Sequence, residues 1–398
     1  MVRFHLSMRS KKIYFECGAL VADHFSGVGH YVMGIAKALD DFIGRPEHAL
    51  LQAQNKTTDE TILCVPRNHR ARLSKFGFLN TGARSFPFHS RILHKLVDNK
   101  LLPPLDTWFG RGTYLFTNFT RYPLWRAKSA TVIYDISFEL VPQFVDANNR
   151  RFLSKVVRQA VTKSNLIITI SKSAKDEIAN FYNIPPSKII VAYPSVDRSL
   201  YYKRSPEEIK EIKIKYGLPD NYVLFVGNLE PRKNITTLID AYTQLPLDVA
   251  RKFPLLLVGA NGWLSETIFE KLKEAEKAGY TIVRPNKYVN DRDLPAIYSG
   301  ATMLAYPSHY EGFGMPPVEA MACGVPVITA DNSSLPEAVG DAGIMVNSTD
   351  TKGISKAILQ LMNDDSLRQQ LTARGYEQVK KFSWDESAQK IYKALVEL

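Results

Sequence analysis

The sequence predicts an α/β protein of two doubly wound, Rossmann-like domains facing across a cleft. Three observations carry that expectation. Short apolar, β-branched runs alternate with helical patterns along most of the chain, as expected of parallel strands covered by helices on both faces. The alternation breaks once, at the polar, turn-rich stretch 194–207 (PSVDRSLYYKRSPE), and then resumes. The two series have similar length, and 398 residues suit two or three domains of ~150 residues.

In the first series, residues 12–16 are the expected first strand and 28–42 an amphipathic helix. Strands follow at 61–65, 113–116, 131–134, 166–170 and 189–191. Helical patterns over 149–163 and 172–182 separate the last three. Residues 194–207 read as the interdomain connection. In the second series, strands are expected at 222–226, 255–258, 281–283, 303–305 and 327–329. Helices are expected near 234–244, 264–278, 293–299, 315–323, 352–362 and 366–379. The last segment, 383–398, spaces Trp384, Ala388, Ile391, Tyr392 and Leu395 as one face of a helix.

Composition narrows the function classes. Apolar residues make up 45% and charged residues 23%, which excludes a wholly disordered, collagen-like or coiled-coil chain. No apolar run reaches the ~18 residues of a membrane span, and the N-terminus lacks the apolar core of a secretory signal. Three widely spaced cysteines, Cys17, Cys64 and Cys323, fit a reducing cytoplasm rather than a disulfide scaffold or zinc cluster.

The net charge of +11 is one-sided. Residues 1–200 hold 28 basic and 15 acidic side chains, a balance of +13; residues 201–398 hold 23 and 25, a balance of −2. Such a half seeks a polyanion. Its densest stretch, 67–100, has eight Lys/Arg against one Asp, with Phe76, Phe78, Phe86 and Phe88 interleaved. Two readings stand: a solvated face with core aromatics, or a surface that docks on anionic lipid with its rings in the headgroup layer. No nucleic-acid motif accompanies the charge, so nucleic acid is not an expected partner.

The strongest chemical signal is 306–326, YPSHYEGFGMPPVEAMACGVP. It follows an expected strand. Gly312 and Gly314 make a bendable loop around Phe313, and Met315-Pro316-Pro317 suits a first helical turn. Free amides at that helix N-terminus would face a diphosphate. Glu311 and Glu319 stand in E-x7-E spacing, which lets a loop and a helical turn bring two carboxylates to one ligand. Carboxylates accept from sugar hydroxyls, so one would grip a ribose and the other a hexose. Taken alone, Glu319 would serve as a helix-dipole partner and Glu311 as a solvated loop residue; the glycines, prolines and preceding strand favour the ligand site.

EGFGMPPVEAMACGVPVI resembles the donor-site signature of glycosyltransferase family 4, the retaining GT-B enzymes. VGNLEPRKNITTLIDAY (226–242), LVGANGWLSETIFEKL (257–272), NDRDLPAIYSGA (290–301), SSLPEAVGDAG (333–343) and SGVGHYVMGIAKAL (26–39) are also similar to family segments. The nearest subset is the mannosyltransferases of O-antigen and related polysaccharides. The C-terminal half matches specifically. The N-terminal half matches only at its glycine loop, near Asp135 and around ISKSAKDEI (170–178).

The resemblance implies an N-terminal acceptor domain, 1–200, and a C-terminal nucleotide-sugar domain, 201–382, with 383–398 crossing back to the first. It implies that Lys233, in EPRKN (230–234), balances the charge of the leaving diphosphate, with Arg232 its companion. Many members carry an arginine where this chain has Asn228. Ser26-Gly27-Val28-Gly29 opens the first helix and reads as a lip over donor phosphate or acceptor, or as a plain tight turn. Asp135 would contact the transferred sugar or the acceptor hydroxyl, or cap a turn. Relatives often place histidine before it; here Tyr134 stands there. Ser334 and Leu335 would lend backbone contacts to the donor.

Other candidates are weaker. Asp291 and Asp293 spell D-x-D, but their place before a helical pattern suits an N-cap better than a metal ligand. His309 reads as loop structure. No Ser-His-Asp set or zinc spacing is present, so neither metal nor cofactor is expected. The sequence-level conclusion is a retaining glycosyltransferase with catalytic Glu311, Lys233, Arg232 and Asp135. It would move a hexose, mannose from GDP-mannose on the subset resemblance, to a glycan or lipid-diphosphate-linked acceptor. The expected location is cytoplasmic, peripheral on the inner face of the membrane. The alternatives are a sugar-nucleotide epimerase of the same fold and a non-catalytic anion- or membrane-binding protein.

Overall fold

The computed structural model describes residues 9–21, 26–55, 57–86, 89, 96 and 101–398. Two parallel sheets organise it. The first takes β1 (Arg9–Glu16), β2 (Thr57–Pro66), β3 (Gly82–Phe86), β4 (Thr113–Phe116), β5 (Lys128–Val132), β6 (Leu166–Thr169) and β7 (Ile189–Val191), in the order β3-β2-β1-β4-β5-β6-β7. The second takes β8 (Val223–Val226), β9 (Leu255–Val258), β10 (Ile282–Val283), β11 (Met303–Tyr306), β12 (Val327–Ala330) and β13 (Gly343–Val346), in the order β10-β9-β8-β11-β12-β13. Every residue of β4, β6, β8, β9, β11 and β12 is buried, because helices cover both faces.

Each sheet reverses its strand order once, between β1 and β4 and between β8 and β11. Those switch points are where a doubly wound sheet opens a crevice beyond its strand ends. The loops that follow β8 and β11 carry EPRKN and the glycine-rich segment, so the second crevice collects both.

Two edge strands have no counterpart in the sequence pattern. β3 (GARSF) buries only Phe86 fully and includes a glycine and an arginine, so it has no apolar run. β13 opens at Gly343, where a Cβ would lie 2.9 Å from the Val327 carbonyl, and none of its residues is fully buried. The expected strand 131–134 ends at Val132, which leaves Tyr134 and Asp135 in the following loop. The connection 194–207 is shorter than expected. Ser205 and Glu208 form a reciprocal cap that starts a helix at Pro206.

The last helix, Trp384–Glu397, lies against the Gly27–Ile43 helix of the first sheet. The Tyr392 hydroxyl bonds His48 Nε2 at 2.8 Å and Asp59 Oδ2 at 2.9 Å, and Arg45 pairs with Asp385 at 3.0 Å. A Cβ on Gly34 would meet the Trp384 ring at 2.5 Å, so only glycine lets the indole sit there. One apolar cluster runs from Ile13 and Tyr31 through Phe225 and Tyr306 to Leu395, tying both halves together.

The basic stretch 67–100 is partly an edge structure. Arg67, Arg70, Lys75 and Arg84 are exposed. Of its described rings, Phe86 is buried against Phe109 and Tyr122, while Phe76 and Phe78 are half-buried and pack on the main core. An edge strand needs an apolar lid on its inner face, and these rings supply it. Phe88, with Arg91, Lys95 and Lys100, lies outside the described residues.

Candidate active site

Two short loops build the centre of the site. After β8 the chain runs through Gly227 and Leu229 into a single turn, Pro231–Lys233, closed by Asn234 in the left-handed conformation (φ 59°). The Asn234 side-chain amide donates to the carbonyls of Pro307 and Ser348, which fixes this turn against the loop after β11. Arg232 and Lys233 therefore point at Glu311. Lys233 Nζ lies 2.7 Å from Glu311 Oε1, and Arg232 Nη1 lies 3.0 Å from Oε2. Arg232 Nη2 reaches Glu230 at 2.7 Å, and Nη1 also donates to the Tyr310 carbonyl at 2.8 Å. Tyr306, the last residue of β11, accepts from Lys233 and donates to Glu311.

Arg232 and Lys233 are thus both paired with Glu311, a contact that the sequence reading did not include. Burial alone would raise the Glu311 carboxyl, but Lys233 and Arg232 hold it ionised down to about 2. Glu230 is raised by burial, with Arg232 opposing. Two cations and two carboxylates are close to neutral as a set. Removing charges from water requires such pairing, and sequence proximity could not show that Glu311, 78 residues from Lys233, supplies it.

The glycine-rich loop is shaped by its neighbours. Gly314 has φ 107°, and a Cβ there would meet Leu335 Cδ2 at 2.8 Å. A Cβ on Gly312 would lie 2.9 Å from Asp135 Oδ2, so the first domain's carboxylate rests directly on this glycine. Asp135 Oδ1 accepts from the Ser137 amide at 2.9 Å, which holds it in place. The helix that follows the loop, Met315–Ala322, offers fewer free amides than expected, since Pro316 and Pro317 in its first turn carry none.

Several expected contacts prove structural in their side chains. Phe313 is buried between Tyr193 and Phe382. Ser334 Oγ donates to the Glu311 carbonyl at 2.8 Å, and Leu335 is fully buried under Gly314. Their side chains are therefore occupied, and the Leu335 amide itself donates to the Asn332 carbonyl at 3.2 Å. Tyr134 is buried too, its hydroxyl donating to the Thr117 carbonyl at 2.7 Å and its ring edge-on to Tyr31, so it does not stand in for the missing histidine.

Glu319 has partners of its own. Its Oε2 accepts from Tyr298 at 2.8 Å, and burial pushes its carboxyl up to about 7, with Tyr298 opposing. It faces a cavity of about 500 Å³ whose wall includes Gly27, His30, Tyr201, Asp291 and Met315. The E-x7-E carboxylates thus hold separate positions: Glu311 among the cations, Glu319 on the interdomain cavity. Gly27 opens the first helix with nothing within 4 Å of a Cβ, while Gly29 is buried inside it. Asp293 occupies an N-cap position without capping; it accepts from Lys215 at 2.7 Å and Tyr216 at 2.6 Å. Asp291 lies across the cavity, 3.8 Å from His30. Among the described residues no group of three or more His, Cys, Asp or Glu is placed to hold a metal.

Comparisons with known proteins bear on the family and the fold. The family described as "Glycosyl transferases group 1" matches residues 208–378. O-antigen chain mannosyltransferase B of Escherichia coli is 38% identical over 90% of this chain and 93% of its own length. The chain belongs to the group 1 glycosyltransferases. O-antigen chain mannosyltransferase RfbU of Salmonella typhimurium is 31% identical over 63% of this chain and 65% of its own. Anabaena HepE, solved with UDP and glucose, superposes with a TM-score of 0.70 at 18% identity over 98% of this chain and 100% of its own. The fold is GT-B.

In this glycosyltransferase the two domains meet at the glycine-rich loop. Ser171 Oγ donates to the Gly312 carbonyl at 2.8 Å. Glu337 accepts from the amides of Lys172 and Ser173 and from the Tyr193 hydroxyl. The Tyr310 hydroxyl donates to Glu177. His309 stacks flat on Phe144, ring centroids 4.9 Å apart. Sequence reasoning gave no role to Tyr306 or Tyr298, and it marked Glu230 only as part of EPRKN. Tyr306 ends β11 and is the first residue of the 306–326 motif; Tyr298 meets Glu319 only through packing.

Proposed function

We propose that this glycosyltransferase moves mannose from a nucleotide-diphosphate mannose, GDP-mannose foremost, to a hydroxyl of a lipid-diphosphate-linked glycan in O-antigen synthesis, with retention. The observation that carries the reading is the buried Arg232–Lys233–Glu311 set beside the glycine-rich loop, at the β8/β11 switch point. The 38% identity to O-antigen chain mannosyltransferase B supports mannose as the sugar.

In this reading the diphosphate lies against the amides of 312–315, with Arg232 and Lys233 donating to its oxygens. Glu319 accepts from the ribose hydroxyls and Glu311 from the hexose. Gly27, on the wall of the same cavity as Glu319, leaves room for the donor, and Asp135 faces the sugar from the first domain. The bond from the anomeric carbon to the phosphate oxygen breaks, and the acceptor oxygen bonds that carbon on the same face. The acceptor proton passes to the departing phosphate oxygen, so no strong protein base takes part. No divalent metal is required: the amides and cations stabilise the leaving group. A nucleotide-sugar donor puts the reaction in the cytoplasm, and the +13 half would hold the enzyme on the inner face of the membrane.

A panel of nucleotide sugars, screened by calorimetry and then by product analysis, tests this. GDP-mannose should bind best, and nucleotide diphosphate should appear only with mannosylated acceptor, in excess chelator as well as without it. An epimerised sugar nucleotide with no transfer, or activity that magnesium or manganese alone restores, overturns it. For the membrane, Arg70→Glu/Arg72→Glu/Lys75→Glu should reduce co-sedimentation with anionic vesicles at low salt; equal sedimentation with neutral vesicles defeats that part.

A further inference from the structure

The Ala147–Lys163 helix carries its charge on one side. Val157, Ala160 and Val161 are buried, and Val157 and Val161 pack with Leu153 and Val156 against the first sheet. The other side presents Arg150, Arg151, Lys155 and Arg158, all exposed. Arg151, Lys155 and Arg158 follow i, i+4, i+7 spacing, so they form one stripe. The helix contains no acidic residue, and Asp146 at its N-cap is taken by the amides of Asn148 and Asn149. Among the described residues none of the four cations is in an ion pair; Arg158 lies over the Tyr182 ring at 5.7 Å. With Pro142, Val145, Ala147 and Ser154 they line a depression of about 680 Å³ that has no acidic residue in its wall.

Like charges stacked on one stripe repel, so their natural complement is an anion with several oxygens. Arginine forks match phosphate oxygens in pairs, and a concave wall lets several forks reach one group. The depression also has a defined place. The turn Pro142–Phe144 supplies Pro142 to its wall, while Phe144 on the other side stacks on His309 and accepts from Trp263 Nε1 at 2.9 Å. His309 is two residues from Glu311. One turn therefore separates this basic depression from the donor loop. The edge cations Arg67, Arg70 and Arg84 sit by β2 and β3, at the far side of the sheet from the helix joining β5 to β6.

We propose that Arg150, Arg151, Lys155 and Arg158 hold the diphosphate of the lipid-linked acceptor, so that its glycan passes Phe144 into the cleft. The proposal rests on the lipid-diphosphate acceptor read above and assigns it a site. The probe is phosphatidylcholine vesicles carrying either polyprenyl diphosphate or phosphatidylglycerol at equal surface charge. The full-length protein should bind the diphosphate vesicles at least tenfold more tightly. Arg150→Ser/Arg151→Ser/Lys155→Ser/Arg158→Ser should abolish that preference, and Lys155→Glu alone should cut it at least threefold. Arg70→Ser/Lys75→Ser/Arg84→Ser should leave it intact. Nucleotide-sugar affinity, measured by calorimetry, should be unchanged in all three variants, which shows that they fold. Equal affinity of the unaltered protein for both vesicles, or a preference that survives the fourfold variant, overturns the proposal. Failure of the unaltered protein to bind any nucleotide sugar would strike the functional reading and leave the vesicle result standing.

Discussion

Two sets of cations sit on either side of the Phe144–His309 stack, and they are built differently. Arg232 and Lys233 are largely buried, with side chains 18% and 12% exposed, and are bonded to Glu311, Glu230, Tyr306 and Tyr310. Arg150, Arg151, Lys155 and Arg158 are exposed, with no carboxylate in the wall they share. Burial explains the contrast. A desolvated cation without a partner costs several kcal/mol, whereas water solvates an exposed one at little cost. The buried set is fixed in geometry and nearly neutral, suited to placing a reacting group. The exposed set keeps its charge, suited to attracting one.

The contrast is most exposed to Lys233→Ala, which should have the largest effect. It leaves the buried Glu311 carboxylate without its nearest cation, and losses from such removal run to about 3–5 kcal/mol. Denaturant unfolding should show a fall of that order, and donor binding should weaken with it. Full stability would mean that the pair is solvated and the contrast false.

A smaller effect, confined to the donor, is expected at Glu319. Glu319→Ala should weaken nucleotide-sugar binding by about 1.5–3 kcal/mol, the range for hydrogen bonds to charged groups. The pH dependence has a definite sign. Because the folded-state carboxyl titrates near 7, above its usual value, the folded protein keeps this proton over the window from ~4.5 to 7 while the unfolded chain loses it. Glu319 therefore lowers stability as pH rises through that window. Donor binding runs the other way, because the ionised form accepts hydrogen bonds better. Glu319→Gln should bind donor less well at pH 8, and the gap should narrow at pH 6. A pH-independent gap, measured by calorimetry, would remove Glu319 from the donor site.

The smallest change should come from the exposed set. Arg151→Ser or Lys155→Ser should shift stability by no more than about 0.5 kcal/mol, as for surface substitutions that break no special contact. A loss several times larger in thermal unfolding would show that these cations have a structural partner, and would erase the contrast from the other side.

The two α/β halves, the break between them and the loops that carry the chemistry were all legible in the amino-acid order. Period and turn chemistry are local signals, and the buried runs of β4, β8, β9 and β11 are apolar enough to announce themselves. Gly312, Gly314, Glu311 and Glu319 were marked as well, because a glycine-rich loop between strand and helix can be read in one dimension. Edge strands β3 and β13 could not, since GARSF has no continuous apolar run and the run in β13 is only the three residues Ile344, Met345 and Val346. The pairing of side chains was settled by tertiary packing alone. It set Glu311 between Arg232 and Lys233, laid Asp135 on Gly312, turned Phe313 and Tyr134 into the core, and gave Glu319 to Tyr298. These contacts join residues far apart in the chain, and packing rather than spacing brings them together.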